Sequence, residues 1–308
     1  MNSMDWTVAV LMGGEGAERE VSLESGKSVA QALENGGYRV IKSDIDSKNL
    51  SILDNKDIDV FFLALHGSFG EDGKLQQILE DRQLKYTGSN PKASMLAFDK
   101  IKSKEVFTSS NITTADYAIV RSIEDIKELN SRLPKNSDKF VIKPSCQGSS
   151  VGIEIVQTPT DAIEAAKKCF NRYGDTLIEK FIKGKEITVA VVGETALPII
   201  EIKPKRAFYD YQAKYIDDAT EFCFDTIEDL CLVKKIQRSA IDCFKALGCR
   251  HFSRIDFILT DSNVPFVLEA NTIPGMTSHS LLPKAAKKAG MDMTELCSRI
   301  IDLTMKTV

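Results

Sequence analysis

WTVAVLM (6–12) is almost wholly apolar and stops at Gly13-Gly14. A short continuous apolar run closed by glycine predicts a buried parallel strand. Helical spacing predicts a helix from Ser22 to Asn35, closed by Gly36-Gly37. YRVIKSDI (38–45) and DVFFLALHG (59–67) read as second and third strands, and LQQILEDRQL (75–84) as a short amphipathic helix. This β-α-β-α-β rhythm predicts an open α/β domain with ligand loops at the carboxyl ends of its strands. Glu15 to Glu20 and His66 to Asp72 lie at two such ends.

The pattern changes after Pro91. KASMLAFDKIKSKEVFTSS (92–110) carries apolar residues at Met95, Phe98, Ile101 and Val106 and predicts one helix. FVIKPSCQGSSVGIEIV (140–156), a helix over 161–171 and TLIEKFI (176–182) predict a small α+β unit of two strands, a glycine turn and a helix. KEITVAVVGETALPIIEIKP (185–204) predicts a hairpin turning near Gly193-Glu194. A helix over 230–247, a second hairpin and a terminal helix complete the chain. There is no internal repeat or low-complexity tract.

With 308 residues, 43 % hydrophobic and 27 % charged, the chain can bury a large core in two or three packed units. A net charge of -4 argues against a general nucleic-acid or anionic-membrane binder. The seven cysteines are scattered with no C-x-x-C pair, which points to a reducing compartment rather than a disulfide framework. No His stands at zinc-ligand spacing to a Cys. The N-terminal segment reads as a strand, not a signal peptide, and no apolar run is long enough to span a membrane.

HFSRIDFILTDSNVPFVLEANT (251–272) is the most informative segment. Side chains alternate faces along a strand, so Arg254 and Asp256 share one face, as do Glu269 and Asn271. The opposite faces carry Ile255, Phe257 and Leu259, then Phe266, Leu268 and Ala270. If Asp261 pairs with Val264 around a two-residue turn, Asp256 faces Glu269 and Arg254 faces Asn271. Two carboxylates and an amide oxygen then converge beside a guanidinium, a donor set that suits magnesium completed by phosphate oxygens. A solvated polar face is the plainer reading of this hairpin alone.

IKPSCQGSSVG (142–152) puts Lys143 at a strand end before a Gly/Ser loop, a pattern suited to gripping phosphate, although it is not a Walker A loop. Alone, a mobile surface turn is the favoured reading. Lys100 in FDKIKSK could reach the same anion or be a solvated helix residue. LIEKFIKGKE (177–186) offers Glu179, Phe181 and Glu186 for a ribose and an adenine, or is a strand with exposed charges. Gly14-Glu15-Gly16-Ala17-Glu18-Arg19 invites a dinucleotide-binding alternative with Asp44 as ribose acid, but Arg19 stands where the third glycine belongs. No Cys or Ser has a His partner at a nucleophile-motif spacing.

Taken together, and in order, GGEGAEREVSLESG, LHGSFGEDG, YTGS, FDKIKSK, IKPSCQGSSVG, LIEKFIKGKE, FYDYQAKY, SRIDF and LEANTIPGMTSHSLLP resemble the D-alanine–D-alanine ligase family of the ATP-grasp superfamily. The resemblance covers essentially the whole chain. It implies an α/β fold, α+β in its later parts, with three-domain ATP-grasp architecture and an N-terminal open parallel-sheet domain. The expected boundaries are 1–98, 99–183 (the lid) and 184–308 (the catalytic domain). It implies that Glu18 holds the ammonium of a first D-alanine and that His66 lies near the substrate. Lys100 and Lys143 would bind phosphate, Glu179, Lys180, Phe181 and Ile182 adenine, and Glu186 ribose. Ser149 would lie in one closing loop, and Lys214 and Tyr215 in a second. Asp256, Glu269 and Asn271 would hold the metal. Arg254 and the Gly275 amide would stabilise the acyl-transfer transition state, and Ser280 and Leu281 would take the second D-alanine's carboxylate. Gly16 and Cys146-Gln147 depart from commoner family residues.

The implied activity is ATP-dependent joining of two D-alanines through an acylphosphate, for peptidoglycan precursors, with two Mg2+ or Mn2+ ions. The expected enzyme is a cytoplasmic homodimer that binds neither nucleic acid nor membrane. The alternatives are a ligase that joins D-alanine to D-lactate or D-serine, a non-catalytic nucleotide-binding protein, and an NAD-type dehydrogenase.

Overall fold

The computed structural model describes residues 6–16, 18–203 and 220–307. Within them the chain builds three sheets. The first is parallel: β1 (Thr7–Gly13), β2 (Arg39–Ile45) and β3 (Val60–Leu63) lie in the order β2-β1-β3, with α1 (Arg19–Asn35) linking β1 to β2. Every residue of β1 and β3 is buried, as expected of parallel strands covered on both faces. Helix α1 starts at Arg19, earlier than the sequence pattern predicts, so Glu18 occupies its N-cap just past the end of β1. β3 is shorter than predicted. Its pairing stops at Leu63, and the chain reaches α2 (Lys74–Asp81) through the loop that carries His66 and Glu71.

The single helix expected over 92–110 is two, α3 (Pro91–Phe98) and α4 (Lys100–Ser109). Asp99 breaks them apart. Its backbone is extended, and its Oδ1 accepts from the N–H groups of Ile101 and Lys102 at 3.1 and 3.3 Å. A short polar side chain that captures backbone donors favours a cap over a helix interior. Met95, expected on the apolar stripe, is 42 % exposed.

The second sheet is richer than predicted. β4 (Tyr117–Val120), β5 (Phe140–Pro144), β6 (Glu154–Val156) and β7 (Thr176–Lys180) run antiparallel in the order β4-β7-β5-β6. Helices α5 (Ile123–Arg132) and α6 (Pro159–Tyr173) share a core with it that includes Val120, Leu129, Ile142, Ala166 and Ile178. The third sheet contains β8 (Lys185–Val192), β9 (Thr195–Ala196), β10 (Ile200–Lys203), β11 (Glu221–Cys223), β12 (Phe252–Leu259) and β13 (Pro265–Asn271). Its order is β11-β10-β8-β12-β13, with β9 paired to β8. Helix α7 (Leu230–Ala246) packs on it, and the chain ends in α8 (Leu281–Lys288) and α9 (Met293–Lys306) rather than in one helix.

Val8, Val29 and Leu33 lie in the same core as Phe252, Leu282 and Ile300. The first and third sheets therefore bury common apolar surface. That shared core fixes the segment after β13 against the start of α1, where the polar residues converge.

Candidate active site

The β12–β13 hairpin pairs Arg254 with Asn271 and Asp256 with Glu269, the predicted register, but by a different route. The turn is one residue longer than expected. Thr260 N–H donates to Val264 O at 3.1 Å, and Asn263 takes a left-handed φ of 61°. A β-bulge between Asp256 and Phe257 restores the register. The bulge also changes the faces. Val267 and Ala270 enter the core with Ile255, Phe257 and Leu259, whereas Phe266 and Leu268, expected inside, are only partly buried. Bulges occur beside active sites because they re-aim side chains without ending the strand.

Asp256 is the centre of this face. Arg254 donates from Nε to its Oδ1 at 2.9 Å and from a terminal nitrogen to its Oδ2 at 2.7 Å. Thr188 on β8 donates to Oδ1 at 2.6 Å, and Asn271 Nδ2 to Oδ2 at 3.1 Å. Glu269 lies 3.5 Å from Lys100 Nζ. Among the described residues no three His, Cys, Asp or Glu side chains form a metal cluster. The donors at hand are two carboxylates and an amide oxygen, all hard, and they fit a small divalent cation completed by phosphate oxygens.

A cavity of about 890 Å3 opens in front of the hairpin. Glu18, His66, Lys100 and Ser149 line it together with Arg254, Glu269, Asn271, Gly275, Ser280 and Leu281. Ser149 holds a left-handed φ of 51° and donates its hydroxyl to Glu18 Oε1. A Cβ on Gly148 would sit 2.9 Å from Glu18 Oε2, so glycine lets this loop reach the acid. Ser280 is the N-cap of α8 but forms no side-chain cap. Its hydroxyl accepts from Thr277 N–H at 3.0 Å. The first turn of α8 therefore faces the cavity uncapped by Ser280, a place that favours a carboxylate.

His66 is buried, and burial holds its imidazole below the usual range. Nδ1 lies 3.0 Å from Ile273 O and Nε2 3.1 Å from Ser25 Oγ, which accepts from Met276 N–H at 3.2 Å. A neutral ring with its proton on Nδ1 satisfies both contacts. His66 thus ties the segment after β13 to α1 while it borders the cavity.

Glu71 lies in the 66–72 strand-end loop, where the sequence singles out only His66. Burial, with the Glu18 carboxylate nearby, pushes its carboxyl up to about 8. Gly67 N–H donates to it at 2.7 Å. A proton bound more tightly in the folded than in the unfolded protein makes stability fall as pH climbs from the ordinary carboxyl range toward about 8. Glu71→Gln should therefore raise the melting temperature clearly at pH 9 and hardly at pH 5. Thermal scans at both pH values check this, and equal shifts would contradict a protonated Glu71.

Lys143, Glu179 to Ile182 and Glu186 do not line this cavity. They lie on β5, at and beyond the end of β7, and on β8. Lys100 Nζ donates to Gln147 O at 2.8 Å, holding the Gly/Ser loop. Lys143 contacts Glu179, and so does the fully buried Lys104, a residue that its helical neighbours give no reason to single out. Burial raises the Glu179 carboxyl, but the two lysines outweigh it and leave it below its ordinary value. Asp44, the ribose acid of the dinucleotide alternative, is held by Arg19, whose NH1 lies 2.9 Å from Oδ1. Lys214 and Tyr215 fall outside the described residues.

Comparison with known proteins shows the family. The model of the D-ala D-ala ligase C-terminus matches residues 106–302 and that of the N-terminus residues 49–89. D-alanine–D-alanine ligase of Methylacidiphilum infernorum is 41 % identical over 297 residues, covering 96 % of this chain and 95 % of its own. The Bacillus anthracis D-alanine–D-alanine ligase structure superposes with a TM-score of 0.85 at 34 % identity, covering 98 % of both chains. The VanG D-Ala:D-Ser ligase of Enterococcus faecalis gives 0.84 at 27 %, covering 97 % of this chain and 99 % of that one. Both in sequence and in fold, over nearly its full length, the chain belongs to the D-alanine–D-alanine ligase family.

Proposed function

We propose that the protein joins two D-alanines at the expense of ATP in the synthesis of peptidoglycan precursors. The observation that carries this reading is the pairing of Arg254 with Asp256 on one hairpin face, with Arg254, Glu18 and Ser149 lining a single cavity. Glu18 takes the ammonium of the first D-alanine. The γ-phosphoryl passes from ATP to that amino acid's carboxylate, giving an acylphosphate and ADP. The second D-alanine enters as an ammonium, loses a proton and attacks the carbonyl, and phosphate leaves. Arg254 and the Gly275 N–H stabilise the oxyanion, and Ser280 and Leu281 at the start of α8 hold the second carboxylate.

Lys100 and Lys143 neutralise phosphate. Glu179, Lys180, Phe181 and Ile182 receive the adenine and Glu186 the ribose. Asp256, Glu269 and Asn271 would hold Mg2+ or Mn2+, in two ions, supplying charge neutralisation on the transferring phosphoryl group. An acylphosphate hydrolyses readily, so the loop of Ser149, with Lys214 and Tyr215 in a second, must exclude water. Units of 1–98, 99–183 and 184–308 would divide these roles. The free cysteines support a reducing cytoplasm. No described helix is long and apolar enough to cross a membrane. A homodimer is the assembly the family resemblance implies.

Phosphate release from ATP should require D-alanine and yield the dipeptide. Turnover with D-lactate or D-serine as acceptor, in excess of that with a second D-alanine, would shift the reading to the alternative ligases. Ser149→Ala should lower dipeptide yield per ATP consumed, by about threefold to tenfold, as the hydroxyl tie to Glu18 is lost. Unchanged coupling of product to ATP would remove Ser149 from the closing loop's work.

A further inference from the structure

Glu179 lies between two lysines. Lys143 contacts Oε2 and Lys104 contacts Oε1, and the three side chains are 8 %, 1 % and 3 % exposed for Lys143, Lys104 and Glu179. Lys104 projects from α4, in a helix otherwise anchored by Ile101 and Phe107. Its Nζ also donates to Thr114 Oγ1 at 2.6 Å and lies 5.1 Å from the ring centre of Tyr117, which pairs with Glu179 in the sheet. Thr114 in turn donates to Val267 O at 3.0 Å, two residues before Glu269 on β13. Lys104 is thus fixed on several sides, whereas Lys143 is fastened at its tip by the shared carboxylate.

A buried carboxylate with one cationic partner strongly resists losing it. With two partners it can release one and remain paired. The triad therefore has one lysine held in place by several contacts and one held by the carboxylate alone.

We propose that Lys104 is a positioning residue for the nucleotide: it retains the charge of Glu179 so that Lys143 can turn from that carboxylate to an incoming phosphate. This rests on the reading of Lys143 as a phosphate ligand. Without Lys104, Lys143 becomes the sole counter-ion of Glu179 and is held back from the nucleotide. Lys104 acts through Glu179 and Lys143, so the effect is confined to the nucleotide side of the reaction.

The test is a mutant cycle on the full-length protein, with ADP affinity measured by calorimetry and KM for ATP and D-alanine measured separately. Lys104→Met should weaken ADP binding about tenfold and raise KM for ATP, with KM for D-alanine unchanged. In a Lys143→Ala background the same change should cost less than about twofold, because there is no lysine left to hold back. Thr114→Val leaves all charges in place and should weaken ADP binding by about threefold, which keeps the test decisive if Lys104→Met does not fold. ADP affinity within about twofold of wild type in Lys104→Met, or unchanged affinity in Thr114→Val, overturns the proposal. Equal losses with and without Lys143 overturn it too, leaving Lys104 a structural residue. Undiminished ADP binding by Lys143→Ala would instead overturn the phosphate reading beneath it.

Discussion

Glu269→Gln is expected to lower turnover by about a thousandfold, ~4 kcal/mol in activation free energy, while the apo protein stays folded. The side chain is 27 % exposed, and its ion contact with Lys100 is a loose 3.5 Å. Such a pair contributes ~0–1 kcal/mol to folding, so an isosteric amide costs little stability. Function depends on different properties. A hard divalent cation bound through few protein ligands loses charge neutralisation when one carboxylate becomes a neutral amide. Mn2+ titration followed by electron paramagnetic resonance should show weaker binding alongside the rate loss. Turnover within about tenfold of wild type would take Glu269 out of the metal set.

For Arg254→Lys, kcat should fall about a hundredfold to a thousandfold, although the charge is kept. Arg254 engages both oxygens of Asp256 at once, at 2.9 and 2.7 Å. That fork aims the guanidinium, and an ammonium on a flexible stem cannot reproduce it. Asp256 would still be held by Thr188 at 2.6 Å and Asn271 at 3.1 Å, so the strand should survive. KM for ATP should change less than kcat, because the oxyanion develops only in the transition state. A loss confined to KM would make Arg254 a binding group instead.

The candidate site residues were legible where local rules suffice. Strand alternation set Arg254, Asp256, Glu269 and Asn271 on one face. The register was right although the turn is longer than two residues, because the bulge beside Asp256 compensates. The same bulge defeated the burial reading for Phe266 and Leu268, since alternation carries no mark of an inserted residue. Asp99 was read through as helical because the apolar spacing continues across it, although its capping chemistry was visible. β4 went unseen because YAIV is only four residues long. Lys104 was illegible for a different reason. A lysine four residues after another on a helix reads as solvated, and only the fold, which sets Glu179 of β7 and Tyr117 of β4 beside its Nζ, reveals the carboxylate it meets.

Ion pairing within the candidate site has a consequence for how substrates bind. Lys100 lies near Glu269 and Arg254 on Asp256 at the cavity, and Lys143 rests on Glu179 outside it, so the candidate site carries its own counter-ions. It behaves as an ion exchanger rather than an open charged hole: each anion or cation that enters displaces a partner already in place. Added salt screens the displaced contacts and the new ones alike. Affinity for nucleotide should therefore vary less with ionic strength than the number of charges in the cleft implies, and most of what remains should be traceable to the groups that lie outside these pairs.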